Sequence, residues 1–209
     1  SDFFSGKEIL NTKQLSLFAL YDFNIIPVEL ISNIYEILLG KETREKDNAF
    51  YTPNYLVEYI LDRTVTKTLK EKSSFTILDP SCGSGVFLVD SYRRIIQENL
   101  GEKLYCDDDA VLKRLLTNHI YGIDINEEAI DVTIFSLYLT ILDYKDPKTL
   151  SEFILPNLKG ENLFVGDFFD EEKLKSLTEK NITFDYIIGN PPWGNVKTGL
   201  HMSYCKSKG

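Results

Sequence analysis

The chain has 209 residues, of which 43% are hydrophobic and 26% charged, a composition typical of a globular protein. It excludes a chain that is disordered throughout, a collagen-like repeat and a coiled-coil rod. The net charge of −9, with 17 acidic and 9 basic side chains concentrated in residues 100–180, at first argues against binding to nucleic acid, where a basic face is expected.

Cysteine and histidine are scarce. The three cysteines are odd in number and widely spaced, so they predict neither a disulfide framework nor a metal site of the CxxC type. With only two histidines in addition, we expect no metal centre, and we expect His119 to be structural. No apolar run approaches the roughly 18 residues of a membrane span, and no signal peptide is recognisable. We therefore expect a cytoplasmic protein without a membrane partner.

The first fifty residues predict an N-terminal helical segment, 1–50. Pro27 suits a first helical position, and the apolar residues that follow it recur at helical spacing as far as Gly40. After a charged connector, a further helix is predicted with Thr52 as its N-cap and Pro53 as its first residue. Its predicted apolar face consists of Leu56, Val57, Ile60, Leu61 and Val65.

From residue 75 the pattern becomes an alternation of short apolar strands and helices, which we assign to a main domain, 51–209. Strands are predicted at 75–78, 119–123, 163–165 and 184–188, and helices at 108–117 and, weakly, 171–180. Another helix carries apolar residues from Val86 to Ile96 with Gly101 just beyond it, and a further helix is capped by Asn126 and keeps its apolar face to Ile141. Such an alternation predicts an α/β fold with a parallel sheet and helices on both of its faces. Ligands of such sheets bind at the carboxyl ends of the strands, and four distinctive turns lie there.

The first turn, at residues 79–85, combines an acid with two glycines before a helix. Glycines allow a ligand to approach the backbone closely, and the start of the helix offers unpaired N–H groups. Because the turn has no lysine of the P-loop type, cleavage of ATP is not expected. A nucleoside that carries a cationic or zwitterionic group, facing Asp79, is one interpretation; a tight turn without a ligand is the other.

The second and third turns each place an acid at a strand end. Asp124 could accept hydrogen bonds from ribose hydroxyls, although many such residues only cap helices or face solvent. Asp167 and Phe168 pair a carboxylate with an aromatic face, which suits an adenine ring. The alternative is a strand-end acid beside a core phenylalanine.

The fourth turn is the most specific. In Asn190-Pro191-Pro192-Trp193, two prolines remove backbone donors and stiffen the chain, so that the Asn190 side-chain oxygen and the Pro191 carbonyl can both act as acceptors. Trp193 adds a stacking surface. This set suits a planar group with an amino substituent, whereas a proline-rich loop that merely ends a strand is the alternative.

Together these residues resemble the N6-adenine-specific DNA methyltransferases with the gamma order of motifs, found in type I modification subunits and in type IIG restriction–modification enzymes of the Eco57I type. Tyr51-Thr52-Pro53 resembles their N-terminal cofactor motif, and residues 79–88 their first Rossmann motif. The ribose, adenine and catalytic motifs are matched by residues 122–126, 166–168 and 190–193. The resemblance covers residues 25–197 and implies a Rossmann-like fold and S-adenosylmethionine as cofactor.

The resemblance also implies roles for individual residues. Asp124 with Ile125 would bind the ribose, Asp167 with Phe168 the adenine, and Asn190 and Pro191 the target amino group, while Trp193 would stack on a flipped adenine. The catalytic residues implied are Asn190, Pro191, Pro192 and Trp193. Asp79 and the loop 81–85 would hold the methionine part of the cofactor, with Thr52 nearby. The cofactor-binding residues implied at this end are Tyr51, Thr52, Pro53, Asp79, Pro80, Ser81, Cys82, Gly83 and Gly85.

The family pattern continues beyond the catalytic turn with further strands and a target recognition domain. We therefore expect the chain to be a truncated part of a catalytic domain. By itself it should show little methylation and no tight binding to DNA. Its partners would be double-stranded DNA, a restriction or specificity subunit or domain, and another copy pairing with an exposed sheet edge.

Two other kinds of function stay open at this point. Release-factor glutamine methyltransferases and guanine-amino RNA methyltransferases share an Asn-Pro-Pro-aromatic turn, but they are not expected to carry Tyr-Thr-Pro ahead of the first motif. A cofactor-binding module without catalysis is the other possibility.

Overall fold

The computed structural model describes residues 52–72, 74–106, 108–145, 153–170, 172, 175–179, 181–192 and 199–208. The predicted helices of segment 1–50, together with Tyr51 and Trp193, lie outside the described residues. Among the residues that are described, no helix combines the length and the apolar character needed to cross a bilayer.

Helices and strands alternate along the described chain as the sequence predicts. The helices are α1 (Asn54–Arg63), α2 (Val65–Leu69), α3 (Val86–Leu100), α4 (Asp109–His119), α5 (Glu127–Asp143), α6 (Lys175–Glu179) and α7 (Leu200–Lys208). The strands are β1 (Ile77–Asp79), β2 (Ile120–Asp124), β3 (Leu163–Val165) and β4 (Tyr186–Ile187). The predicted bounds of β3 are confirmed without change, and α3 ends just before Gly101 as predicted.

The four strands form one parallel sheet in the order β3-β2-β1-β4. This confirms the predicted α/β architecture. β1 and β4 begin two residues later than predicted. Before them, the Thr76 carbonyl still accepts from the Asp185 N–H at 3.0 Å, but the Thr76 N–H bonds a side chain. The Asp185 carboxylate accepts the hydrogen bond of the Thr76 N–H at 2.8 Å, and regular strand pairing begins one residue further along each strand.

The prediction for α1 is wrong by one residue. The helix begins at Asn54, with Pro53 as its N-cap and no side-chain cap hydrogen bond, so Thr52 lies outside it. The predicted apolar face is also too wide. Val57 and Leu61 are buried, whereas Leu56 is 39% exposed. Val65 is buried as predicted, but it belongs to α2, because the backbone departs from helical angles at Thr64.

The main core lies on one face of the sheet, where α3 and α5 pack together and α1, α2 and α4 close around them. A smaller apolar cluster lies on the second face, and α6 contributes Leu177 to it. Helical cover on both faces is therefore confirmed, but it is unequal. The residues of the second-face cluster are Leu78, Tyr121, Ile123, Phe164 and Leu177.

His119 is the last residue of α4 and not the first of β2 as predicted. Its ring is buried, its Nδ1 lies 2.6 Å from the Phe75 carbonyl oxygen, and the two rings meet edge to face. Burial lowers the pKa of His119, which favours a neutral ring that donates Nδ1–H to that carbonyl. The structural role predicted for His119 is confirmed.

Candidate active site

Backbone hydrogen bonds bring the four turns to one edge of the sheet. Cys82 N–H donates to the Ile123 carbonyl at 2.9 Å, which joins the first turn to β2. Gly166 N–H donates to the Asp124 carbonyl at 2.8 Å, which joins the second and third turns. Next to β1, the Ile188 N–H donates to the Leu78 carbonyl at 2.9 Å. The turns therefore form a continuous rim at the carboxyl ends of the strands.

The first turn is a glycine loop that α5 supports. Gly85 has a φ of +84° and precedes α3, and a Cβ added there would lie 2.7 Å from the Thr133 methyl group. The Thr133 hydroxyl donates to the Gly83 carbonyl at 2.8 Å. Thr133 therefore fixes the shape of the loop, a role that the sequence analysis missed. The available signal was a hydroxyl residue between Ile130 and Ile134 on the predicted apolar side of α5.

Asp79 is a buried acid at the end of β1. Only 1% of its surface is exposed, and its Oδ1 accepts a hydrogen bond from the Ser81 N–H at 3.0 Å. Burial raises the pKa of Asp79 to about 7; the Ser81 hydrogen bond opposes this rise and the nearby Asp124 charge adds to it. None of the ion pairs within the described part of the chain includes Asp79. A cationic ligand group would therefore be electrostatically favoured beside it.

Cys82 lies in the same loop with its thiol buried. Burial and, secondarily, the charges of Asp79 and Asp124 raise the pKa of the Cys82 thiol. Because the thiolate is the reactive form of cysteine, this side chain is suited to packing and not to nucleophilic chemistry.

Asp124 is oriented by two backbone groups. Its Oδ2 accepts from the Gly83 N–H and its Oδ1 from the Asn126 N–H, both at 2.8 Å. The cap of α5 is Asn126, which accepts from the Glu128 N–H at 2.8 Å, so capping is not the role of Asp124. Each carboxylate oxygen has a second lone pair, so Asp124 can also accept bonds from ligand hydroxyls. Ile125 is 73% exposed beside it.

The third turn places Phe168 at the surface. Asp167 Oδ1 accepts from the Phe169 N–H at 2.9 Å, which fixes the carboxylate within the turn. Phe168 is 39% exposed and meets Phe169 edge to face, which contradicts the alternative that it is a core residue. It also lines a cleft of about 960 Å³ on the second face of the sheet. This cleft does not include Asp79, Asp124 or the glycine loop.

The fourth turn packs directly against Asp79. A Cβ on Gly189 would overlap Asp79 Oδ1, so only glycine fits between the two turns. Gly189 is a second residue that the sequence analysis missed. Asn190 Nδ2 donates to the Thr52 hydroxyl oxygen at 3.2 Å, and Thr52 is only 6% exposed. Pro191 and Pro192 are exposed.

The described residues fit a nucleoside cofactor with a cationic group. The position of a Cβ on Gly83 has no atom within 4 Å, which leaves open space beside the loop, and the buried Ser81 hydroxyl has no hydrogen-bond partner in the described part of the chain. Asp79 supplies a buried acid, Asp124 supplies acceptors, and Phe168 an exposed ring. Among the residues that the structure describes, no cluster of three or more side chains could hold a metal ion.

The family model of the N-6 DNA methylases matches residues 27–202 of this chain. The chain belongs to the N-6 DNA methylase family. The resemblance seen in the motifs is thereby confirmed.

Several named methyltransferases and restriction enzymes are similar to this N-6 DNA methylase chain. RM.Eco57I of Escherichia coli, a type II restriction enzyme and methyltransferase, is 28% identical over 83% of the chain and 22% of its own length. The adenine-specific methyltransferase PglX of Streptomyces coelicolor is 29% identical over 76% of the chain and 16% of its own length. The type I restriction enzyme MjaVII methylase subunit of Methanocaldococcus jannaschii is 27% identical over 82% of the chain and 23% of its own length.

A solved structure supports the fold of the N-6 DNA methylase chain. One match is a DrdV–DNA complex, with a TM-score of 0.55 and 17% identity over 85% of this chain and 17% of that chain. Together with the parallel sheet, it confirms the predicted Rossmann-like methyltransferase fold. The chain spans about a fifth of the length of the relatives that it matches.

Proposed function

We propose that this chain is the cofactor-binding and catalytic part of a DNA adenine N6-methyltransferase of a restriction–modification system, with S-adenosylmethionine as the methyl donor. Family membership and the names of the relatives support this proposal. The observation that carries it is the packing of the catalytic turn on the glycine loop, where Gly189 lies directly against Asp79. A methyl donor on the loop and an amino group at Asn190 would then be neighbours.

The cofactor roles follow the geometry of the rim. Asp79 and the loop from Ser81 to Gly85 would hold the methionine part, with the buried carboxylate of Asp79 facing its ammonium group. Tyr51, Thr52 and Pro53 would line the same end. Asp124 would accept the ribose hydroxyls beside Ile125. Asp167 and Phe168 would bind the adenine, by a hydrogen bond to its amino group and by stacking.

Catalysis in this proposal needs no metal. When bound, S-adenosylmethionine supplies a methyl group already activated by its sulfonium. The protein positions the target amino group and polarises it. The Asn190 side-chain oxygen and the Pro191 carbonyl accept its two hydrogen bonds, which draws the lone pair out of conjugation with the ring. Pro191 and Pro192 hold these acceptors rigid, and Trp193 stacks on the base after it leaves the duplex.

Replacing Asn190 by alanine tests this function. In the longest native polypeptide that contains this chain, Asn190→Ala should bind S-adenosylmethionine with near wild-type affinity in calorimetry. It should lose at least about a hundredfold in methyl transfer to unmethylated DNA, because a preorganised acceptor in the transition state is removed. Nucleoside mass spectrometry would identify N6-methyladenine as the product.

Asn118→Ala is the matched control, because Asn118 is an exposed asparagine of α4 that lies near the amino end of β2, away from the rim. It should methylate at the wild-type rate. Methylation by Asn190→Ala at that rate would remove the catalytic role of this residue. Methylation of RNA guanine or of a protein glutamine in place of DNA would replace the proposed substrate, and cofactor binding without any transfer would indicate a non-catalytic module.

DNA recognition and subunit contacts are proposed to involve parts of the protein other than this chain. The net charge of −9 is unfavourable for binding the phosphate backbone of DNA, which in other DNA-binding proteins is contacted mainly by basic side chains. β4 is an edge strand of the described sheet, and Ile187 on it is 63% exposed. This edge is the proposed site of pairing with further strands or with a second copy.

A further inference from the structure

The amide of Asn190 is held by a residue from the opposite end of the described chain. Thr52 precedes α1, whereas Asn190 follows β4, 138 positions later. Asn190 Nδ2 donates to Thr52 Oγ1 at 3.2 Å, and Thr52 is buried. Neither the helix cap predicted for Thr52 nor a cofactor contact accounts for this bond.

This hydrogen bond places the nitrogen branch of the Asn190 amide toward Thr52. A primary amide has a donor nitrogen on one branch and an acceptor oxygen on the other, and a half-turn about its last side-chain bond exchanges them. With the nitrogen on Thr52, the oxygen lies on the branch directed away from Thr52. In the flipped arrangement, two acceptor oxygens would face each other unless the threonine hydroxyl turned to donate.

We propose that Thr52 is a positioning residue for catalysis, which fixes the Asn190 amide so that its oxygen is directed to the target amino group. This inference rests on the proposed methyltransferase function. It gives the N-terminal Thr-Pro pair a role at the methyl acceptor, in addition to the role at the methyl donor that the motif implies. Thr52 acts through Asn190 and does not itself contact the reacting atoms.

Thr52 is attached to a well-fixed element. The Pro53 carbonyl accepts from the N–H groups of Leu56 and Val57 at 2.9 and 3.2 Å, so the residue after Thr52 is tied to the first turn of α1. α1 is in turn anchored in the main core by Val57 and Leu61. A hydroxyl in this position is preorganised, which is the condition for holding a catalytic group in one orientation.

The two roles of Thr52 can be separated experimentally. A hydroxyl can accept two hydrogen bonds and donate one, so accepting from Asn190 leaves its proton for another acceptor, such as a cofactor carboxylate. A cofactor contact affects the concentration of S-adenosylmethionine required. Orientation of Asn190 affects the rate of methyl transfer after the cofactor has saturated the site.

The test compares Thr52→Val, which keeps the shape but removes the hydroxyl, with Thr52→Ser, which keeps the hydroxyl. It uses the longest native polypeptide, single-turnover methylation of DNA and saturating S-adenosylmethionine. Thr52→Val should be slower by about tenfold, the scale of one hydrogen bond, and Thr52→Ser should be within about threefold of wild type. Thr117→Val is the control, because it removes a threonine hydroxyl that, within the described residues, donates to the Lys113 carbonyl of its own helix.

Three results would overturn the inference: a wild-type rate for Thr52→Val, a Thr52→Val defect that disappears once the cofactor saturates, or a Thr52→Ser rate as slow as that of Thr52→Val. If thermal unfolding shows that Thr52→Val is destabilised, Thr52→Ala removes the same hydroxyl with a smaller side chain, and the same criteria apply to it. The Asn190 side-chain NH₂ signals in ¹⁵N NMR, assigned by their loss in Asn190→Ala, should shift in Thr52→Val and in Thr52→Ala. Failure of the wild type to form N6-methyladenine would instead refute the proposed function.

Discussion

Gly85 precedes α3 in the left-handed region of the backbone, with a φ of +84°, and Thr133 of α5 crowds it. A Cβ at Gly85 would lie 2.7 and 2.8 Å from two atoms of Thr133. The left-handed backbone alone disfavours alanine by about 1–2 kcal/mol. Overlap with a packed side chain adds about 1–3 kcal/mol.

We therefore expect Gly85→Ala to lower the free energy of unfolding by about 2–5 kcal/mol in urea titrations, the sum of both effects. Thr133→Ala in the otherwise native protein is the control for loss of the Thr133 hydroxyl, which donates to the Gly83 carbonyl. Gly85→Ala should cost less in the Thr133→Ala background than in the native protein, because two of the three crowding atoms are removed. An equal loss in both backgrounds would show that Thr133 does not crowd Gly85.

At the scale of elements, Arg94 joins α3 to the two helices before it. Its Nη1 lies 2.5 Å from Asp62 Oδ1 on α1 and 2.6 Å from Thr66 Oγ1 on α2, while its Nε contacts Asp90 at 3.1 Å. The guanidinium is 18% exposed, so it is screened less than an ion pair on the surface. The planar group bonds several partners at once, which an ammonium would not reproduce.

Arg94→Met should therefore lower the free energy of unfolding by about 1–2 kcal/mol, because Asp90 and Asp62 lose a partly buried cation. Arg114→Met, at an exposed position on α4, should change it by less than about 0.5 kcal/mol. Denaturant titrations of both variants measure the difference. An Arg94→Met protein as stable as Arg114→Met would mean that α1 is held by its apolar contacts alone.

The elements that the sequence predicts well have local signals. α3 lies between Gly85 and Gly101, and α5 begins after the Asn126 cap, whose side chain accepts from the Glu128 N–H. The order of short strands and helices was likewise sufficient to predict a parallel sheet. Such features depend on residues a few positions apart, which is the range that periodicity and capping patterns cover.

The contacts that the sequence could not predict join distant parts of the chain. Gly189 lies against Asp79, Thr133 against Gly85, and Asn190 bonds Thr52. Each depends on how far one turn extends over its neighbour, which no spacing in the sequence encodes. The motifs identified which turns matter, while the folded chain determines which residues of those turns contact each other.

At the scale of the whole molecule, the buried acid Asp79 couples stability to pH. Its pKa of about 7 in the folded protein is well above the ordinary value of 3.8 for an aspartate. Between pH 3.8 and pH 7, the Asp79 carboxyl keeps its proton in the folded state and loses it in the unfolded state. The stabilisation from this proton is complete below pH 3.8 and is lost as the pH rises through 7.

Asp79→Asn removes this titration and keeps a side-chain oxygen for the Ser81 N–H. Between pH 5 and pH 8 the wild type should lose on the order of 2–3 kcal/mol of unfolding free energy relative to Asp79→Asn, because each pKa unit corresponds to about 1.4 kcal/mol. The measurement is a set of urea titrations at several pH values. Asp131→Asn, which neutralises an exposed aspartate on α5 that pairs with Lys159, controls for the loss of one negative charge. Parallel curves for the wild type and Asp79→Asn would mean that Asp79 is ionised in the folded protein throughout this range, with water or an unrecognised cation beside it.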